Sequence, residues 1–356
     1  MIDAAQEWLG PLRPRFPLLW ERLRPIRLAD LPTPVQRLER LGRAVGHGRL
    51  YVKRDDLTSP RYGGNKPRKL EFLLADALRR RARTLLTMGA LGSNHLLATA
   101  IHGREVGLRT VGVVFPQPLT EHVRRNLWAD RAVGVELVRT SSKYLLPVAV
   151  AQTMLRLRRA EGRAPALIPG GGSNALGALG FVNAGLELAD QVAQGLLPEP
   201  EAIFVALGTG GTAAGLSLGL RLAGLRSRVV AVRVIDRLLA NRWRLLSRLG
   251  AVARLCHGQS DEPVPGRLGD NLQIEHGFIG GGYGEPTPEG EAAMRLFAGE
   301  EGLLLEPTYT AKTAAAFLAR ARETRGPLLY WHTLSSADLE NLVQAGRAQE
   351  ESEKNP

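Results

Sequence analysis

Short strand-like apolar runs in this chain end, again and again, in Gly- or Ser-bearing loops that give way to helical spacing. Leu50–Lys53 is the first clear strand; it is followed by the loop Tyr62-Gly63-Gly64-Asn65-Lys66 and by leucines 70, 73, 74 and 78 at helical intervals. Next come strand Thr84–Met88, loop Gly89–Ser93, a helix opening at Asn94, and strand Arg109–Phe115. A later cycle runs through strand Ala202–Leu207, loop Gly208–Thr212, helix Ala213–Ala223 and strand Arg228–Val234, and a last strand, Leu328–Trp331, precedes His332-Thr333. This is the rhythm of βαβ units, and it predicts an α/β fold of open, mostly parallel sheets flanked by helices. Open sheets of that kind bind ligands in the loops beyond the carboxyl ends of their strands, where most of the chemically capable residues fall.

At 356 residues the chain suits two lobes or one large α/β domain, at ~100–200 residues per domain. Its 44% hydrophobic content, 40 glycines and 22 prolines are those of a soluble globular protein rich in turns. No stretch approaches the roughly 20 apolar residues of a membrane span, and Met1–Phe16 lacks a basic start followed by an apolar run, so a cytoplasmic protein is expected. Cys256 is the sole cysteine, which excludes an intrachain disulfide and a cysteine-rich zinc site and leaves a buried or bystander thiol. The net charge of +12 comes mainly from arginines in segments such as Leu78–Arg83, Leu155–Arg159 and Leu239–Arg248. With no RNA-binding aromatic signature and no zinc-finger pattern, these read as solvated helix faces rather than a nucleic-acid surface. Leu31-Pro32-Thr33-Pro34 reads as an extended or turn element, and the charged stretch Glu350–Pro356 as an unstructured tail.

Gly208-Thr209-Gly210-Gly211-Thr212 places unhindered backbone N–H groups and two hydroxyls at a helix N-terminus, a combination suited to a phosphate dianion. No Lys-Ser or Lys-Thr follows, and the spacing is not that of the dinucleotide fingerprint, so a nucleotide is disfavoured; a plain Gly-rich turn is the alternative. Only Lys53, Lys66, Lys69, Lys143, Lys312 and Lys354 could form a Schiff base, because arginine cannot. Lys66 follows two glycines and an asparagine that let backbone approach a planar ligand closely, while the helix N-terminus and the neighbouring Arg68 and Lys69 disfavour a further ammonium charge. It is a candidate nucleophile, or else a surface lysine opening a helix. Ser93 faces a ligand or caps the helix behind it. His95 and His102 share a helix face two turns apart, too far for an adjacent-turn metal pair.

Taken together, these segments resemble the D-cysteine desulfhydrase and aminocyclopropane-carboxylate deaminase family. Tyr62 to Glu71 looks like the family's lysine motif, Gly89 to His95 resembles its Ser-Asn loop, and Pro169 to Gly180 is similar to its long Gly-rich segment. The phosphate loop, Gly282-Tyr283-Gly284 and Glu306 to Lys312 follow in family order. The resemblance implies a fold-type II pyridoxal phosphate (PLP) enzyme, tryptophan synthase beta-like. Residues 1–68 and 170–356 would form a larger PLP-binding domain, 69–169 a smaller inserted one, and two chains a homodimer. It further implies that Lys66 holds PLP as a Schiff base and moves the Cα proton, that Asn94 bonds the pyridine 3-oxygen, and that Gly208, Thr209, Gly210, Gly211 and Thr212 hold the phosphate. Ser93 would face the substrate carboxylate or reacting carbon, and Tyr283 and Tyr309 would flank a small amino-acid substrate.

Ring-opening members carry Glu immediately after the tyrosine of their Asp-Pro-Val-Tyr motif, as the resemblance implies; here that position is Thr310. A hydroxyl does not hold a pyridinium charge, so the electron sink is weaker and suits β-elimination of thiolate. The expected activity is therefore that of a D-cysteine desulfhydrase, with aminocyclopropane-carboxylate deamination or a non-catalytic PLP-binding role as alternatives. The chain departs from the family pattern at His95-Leu96-Leu97, at Leu334-Ser335-Ser336 and at Glu306.

Overall fold

The computed structural model describes residues 10–257 and 267–354. Ten strands are present among them: β1 Val35–Arg37, β2 Leu50–Lys53, β3 Thr84–Ala90, β4 Arg109–Phe115, β5 Glu136–Arg139, β6 Ala166–Ile168, β7 Ala202–Leu207, β8 Arg228–Arg233, β9 Leu272–Glu275 and β10 Leu328–Trp331. They form a six-stranded sheet in the order β1-β2-β10-β7-β8-β9 and a four-stranded sheet in the order β5-β4-β3-β6. Every pairing is parallel except that of β1 with β2. The α/β expectation of open, mostly parallel sheets is borne out.

Strand β10 lies at the centre of the larger sheet, and all four of its residues are buried. Its run Leu-Leu-Tyr-Trp is apolar on both faces because helices cover both. On one face lie helices Ala175–Ala193 and Gly211–Leu222, whose backbones approach closely. A Cβ at Gly215 would lie 2.3 Å from the carbonyl oxygen of Ala178, and one at Gly219 would lie 2.3 Å from that of Val182, so neither position admits a side chain. The opposite face is covered by helices Pro288–Glu301 and Thr310–Glu323 through Phe297, Phe317 and Tyr330.

Some expectations require correction. β3 continues two residues beyond Met88, because Gly89 and Ala90 still pair with Val114 and Phe115 of β4. The helix after the phosphate loop opens at Gly211 rather than Ala213, behind Gly210 at φ +88°. The stretch 78–83 is not one helix: helix Lys66–Arg79 stops there, and Arg81 takes a left-handed φ of +54°. Before β2, helices Pro17–Leu23 and Glu39–Val45 and strand β1 are formed, in a region where the sequence pattern marks only the extended or turn segment Leu31-Pro32-Thr33-Pro34. Glu350 to Lys354 is not a tail but the last part of helix Glu340–Lys354. That helix is fastened to helix Glu121–Ala132 by a bond from Trp128 Nε1 to Glu350 at 2.8 Å and by the Arg131–Glu353 ion pair. Residues 355–356 and the first nine residues, part of the Met1–Phe16 reading, lie outside the described residues. No helix among the described residues is long and apolar enough to cross a membrane.

Candidate active site

The loops that leave the carboxyl ends of strands in both sheets line one cavity of about 780 Å³. Ser93 enters from beyond β3, Gln117 from β4, Gly171 from β6, Thr209 from β7, Asp236 from β8 and Thr333 from β10. Ligands of open parallel sheets bind at this edge.

Lys66 is the first residue of helix Lys66–Arg79 and lines the cavity, with Asn65 at the N-cap. Its Nζ donates to Asn65 Oδ1 at 2.5 Å; Asn65 Nδ2 donates to Thr212 Oγ1 at 3.2 Å, and the Asn65 N–H to the Thr333 carbonyl at 3.2 Å. The neighbouring Gly64 has φ +81°, and a Cβ there would lie 2.5 Å from the Thr333 carbonyl oxygen, so only glycine brings the chain this close. Burial lowers the Lys66 amine to about 8, against a smaller opposing pull from Glu306. The expectation that Arg68 helps to depress it is corrected, because Arg68 is turned away into a buried ionic network. It bonds Asp55 Oδ1 and Glu187 Oε2, each at 2.8 Å; Lys53 Nζ reaches Glu187 Oε1 at 2.5 Å, and Trp331 Nε1 donates to Asp55 Oδ2 at 2.7 Å. Burial alone would raise the Glu187 carboxyl, but Arg68 and Lys53 outweigh it and hold the group at about 2. This network ties the helix that presents Lys66 to β2, β10 and helix Ala175–Ala193.

Of the phosphate-loop residues, Gly208, Thr209, Gly210 and Thr212 line the cavity. Gly211 does not: its N–H donates to Ser173 Oγ at 3.2 Å, and a Cβ there would meet that oxygen at 2.7 Å. Gly211 therefore packs the loop onto Ser173 instead of facing a ligand. Thr209 Oγ1 lies 2.6 Å from the same Ser173 hydroxyl. Lys69, one turn beyond Lys66, donates to the Gly171 carbonyl at 3.0 Å and sits near Ser173 Oγ at 3.4 Å. Burial, then the charges of Lys66 and Arg248, push its amine well below the ordinary lysine range. No carboxylate pairs with Lys69 among the described residues, and this corner of the cavity lies at the N-terminus of a helix whose dipole favours an anion. The donor set fits a phosphate dianion and, beside it, an aldehyde within reach of an amine.

Asn94 and Ser93 open helix Asn94–Glu105. Tyr62 Oη at 3.3 Å, His122 Nε2 at 2.8 Å and Asn126 Nδ2 at 2.8 Å converge on Asn94 Oδ1, which leaves its NH₂ to donate to a ligand oxygen. Ser93 both caps the helix, accepting from the His95 N–H at 3.2 Å, and lines the cavity, so the two alternatives for it coexist. His95 is buried in the cavity wall with Nε2 3.1 Å from Thr87 Oγ1; burial and then Lys66 and Lys69 keep it neutral. His102 faces the Tyr62 carbonyl and Glu105 instead, and no metal-binding cluster occurs among the described residues.

Across the cavity the hydroxyls of Tyr283 and Tyr309 lie 2.8 Å apart, their rings edge to face at 6.0 Å. Burial pushes Tyr283 up to about 12 and Tyr309 well above its ordinary value, so both remain phenols at neutral pH. Thr310 lines the cavity but is only 2% exposed, and its hydroxyl accepts from the Glu306 N–H at 2.7 Å while donating to the Glu306 carbonyl at 3.2 Å. The Glu306 carboxylate accepts the N–H groups of Thr308, Tyr309 and Thr310, each at 2.8 Å, and thus caps the helix that carries Thr310. Sequence reasoning missed this cap and the Tyr62, His122 and Asn126 contacts to Asn94. His122 and Asn126 do stand four apart on a helix, but nothing local says what that face meets.

A two-sheet fold with a buried amine and a phosphate-suited loop lining one cavity defines a class of enzyme that works through a phosphorylated carbonyl cofactor. The sequence pattern of the family described as "Pyridoxal-phosphate dependent enzyme" matches residues 26–333, and the chain belongs to that family, whose cofactor is PLP. It is 36% identical over 329 residues to a D-cysteine desulfhydrase of Salmonella choleraesuis, covering 90% of this chain and 94% of that protein. It is equally 36% identical, over 310 residues, to a Thermotoga maritima protein with the provisional name 1-aminocyclopropane-1-carboxylate deaminase, covering 86% of this chain and 95% of the other. A solved structure titled as an ACC deaminase homologue superposes with a TM-score of 0.78 at 31% identity, over 93% of this chain and 99% of that one. Threonine deaminase isoform 2 of Solanum lycopersicum, at 17% identity and a TM-score of 0.59 over 93% of this chain and 88% of that one, shares the fold. The chain is thus a fold-type II PLP-dependent enzyme, as its motifs implied.

Proposed function

We propose that this protein is a D-cysteine desulfhydrase-like lyase that converts a small D-amino acid to pyruvate, ammonia and sulfide by β-elimination. In this reading Lys66 holds the cofactor covalently, Asn94 bonds its ring oxygen, Gly208, Thr209, Gly210 and Thr212 cradle its phosphate, and Thr310 lies at the pyridine edge. Bound there, PLP supplies the electron sink that makes the Cα–H bond labile. Lys66, whose amine burial lowers to about 8, keeps a far larger neutral fraction at physiological pH than an ordinary lysine and, once the substrate amine has displaced it from the cofactor, would take the Cα proton. Ser93, at a helix N-terminus that favours anions, orients the substrate carboxylate. The protonated Tyr283 and Tyr309 flank the substrate. Loss of the Cα proton and of the thiolate from Cβ leaves aminoacrylate, which takes up water to give pyruvate and ammonia, while the thiolate leaves as sulfide.

The observation that supports this reading is Thr310, a neutral hydroxyl bonded to the Glu306 backbone, at the position where the family resemblance implies a glutamate in ring-opening members. The 1-aminocyclopropane-1-carboxylate deaminase reading draws on the Thermotoga maritima relative and the ACC deaminase homologue structure. Assays on both substrates separate the two. Sulfide and pyruvate from D-cysteine, without keto acid from the cyclopropane amino acid, support the desulfhydrase; the reverse overturns it. A larger domain of residues 1–68 and 170–356, a smaller one of 69–169, and a cytoplasmic homodimer belong to the same proposal, supported by the family resemblance.

A further inference from the structure

We propose that Arg248 is a cofactor-binding residue of this enzyme, its guanidinium closing the phosphate cup from a helix outside the Gly-rich loop. The inference rests on the PLP reading of the site. Helix Arg242–Cys256 turns Leu245 and Leu249 into the core and leaves Arg242 and Arg244 exposed, as a solvated helix face would. Arg248 departs from that pattern, because it lines the cavity. Its stem covers the phosphate loop: a Cβ at Gly210 would lie 3.4 Å from Arg248 Cδ and 3.7 Å from Nε. Its Nη1 donates to the Ser173 carbonyl, on the same residue whose hydroxyl anchors Thr209 and Gly211.

A guanidinium carries five N–H donors, so that one bond leaves most of them available. No carboxylate pairs with Arg248 or with Lys69 among the described residues, although the charge of Arg248 bears on Lys69. Burial and the nearby Arg244 also bring Arg248 below the ordinary arginine range, as expected of a cation without its counter-charge. The Arg248 guanidinium and the Lys69 amine, which a nearby phosphate would favour in its protonated form, suit the two charges of that group beside a helix N-terminus, and a guanidinium can grip two of its oxygens at once.

The test compares PLP with pyridoxal, which lacks the phosphate, as ligands of the cofactor-free protein, read by the visible band of the lysine-bound chromophore. Wild type, Arg248→Gln and Arg248→Lys are titrated, each first checked for cooperative thermal unfolding. Arg248→Gln is expected to weaken PLP about tenfold or more while leaving pyridoxal within about twofold, and Arg248→Lys to recover part of the loss. Unchanged PLP affinity in Arg248→Gln overturns the proposal, and so does equal weakening of PLP and pyridoxal. Should Arg248→Gln not fold, Arg248→Met carries the same comparison. Wild type that captures neither ligand contradicts the PLP reading itself, an outcome distinct from a failure at Arg248 alone.

Discussion

The amine of Lys66 lies 2.5 Å from the side-chain oxygen of its own neighbour, Asn65, whose Nδ2 in turn donates to Thr212. One amide thus couples the nucleophile to the first turn of the helix behind the phosphate loop. Capture of an aldehyde needs the neutral amine, so the capture rate of cofactor-free protein rises with pH and levels off above about 8. Asn65→Ala loosens the amine without exposing it, and slows capture roughly tenfold at fixed pH. Stopped-flow growth of the visible band measures both effects.

Tyr283 and Tyr309 act as one unit, because each hydroxyl is the other's partner at 2.8 Å. Tyr283→Phe and Tyr309→Phe are each expected to lower kcat/KM by about tenfold to a hundredfold, and the double variant by little more than the worse single. A full double-mutant cycle with D-cysteine reads the coupling. Multiplied single effects would show that the two phenols work independently.

The Asp55–Arg68–Glu187–Lys53 network predicts a strong stability phenotype remote from the chemistry. Arg68→Ala leaves buried Asp55 without a cation and Glu187 with Lys53 alone, and is expected to cost about 3–5 kcal/mol in urea unfolding. Since Glu187 is held at about 2, below its ordinary 4.5, its contribution is complete above pH 4.5 and is lost as pH falls towards 2. In Glu187→Gln the acid limb of the stability profile should flatten over that window.

Glu71 has the opposite sign. Burial raises its carboxyl to about 8 although the N–H groups of Leu28 and Ala29 donate to it, and its Oε2 has no partner. The folded protein keeps a proton there that the unfolded chain releases, so stability falls as pH rises from 4.5 to about 8, by at most about 1.4 kcal/mol per pH unit. Glu71→Gln, a mimic of the protonated acid, should remove that slope in chemical denaturation from pH 5 to 8.

Legibility in the sequence followed the range of the interactions involved. β2, β4, β7 and β10 could be read to the residue, because a short apolar run bounded by turn residues is a local signal. The common cavity of Lys66, Ser93, Asn94 and Thr209 could be anticipated because they sit in, or directly after, loops whose residue order is distinctive. What stayed hidden depends on distant partners. Glu350 to Lys354 is charged enough to look like a tail, yet it is helical because Trp128 and Arg131 hold it from more than two hundred residues away. Arg248 looked like one more surface arginine, since only the packed fold turns it towards Gly210. Glu306 looked like a departure, and only the structure makes it the cap of the helix carrying Thr310.

The central claim is that Lys66 holds PLP and that the loaded protein eliminates thiolate from D-cysteine. The most direct measurement is the visible spectrum of the purified, PLP-supplied protein before and after D-cysteine is added, with pyruvate and sulfide assayed in the same cuvette and Lys66→Ala run in parallel. The account predicts a lysine-linked band in wild type that D-cysteine perturbs as pyruvate and sulfide accumulate, and no such band in the variant. A wild-type protein that acquires no band when PLP is supplied, or a band unmoved by D-cysteine with no product, would contradict it.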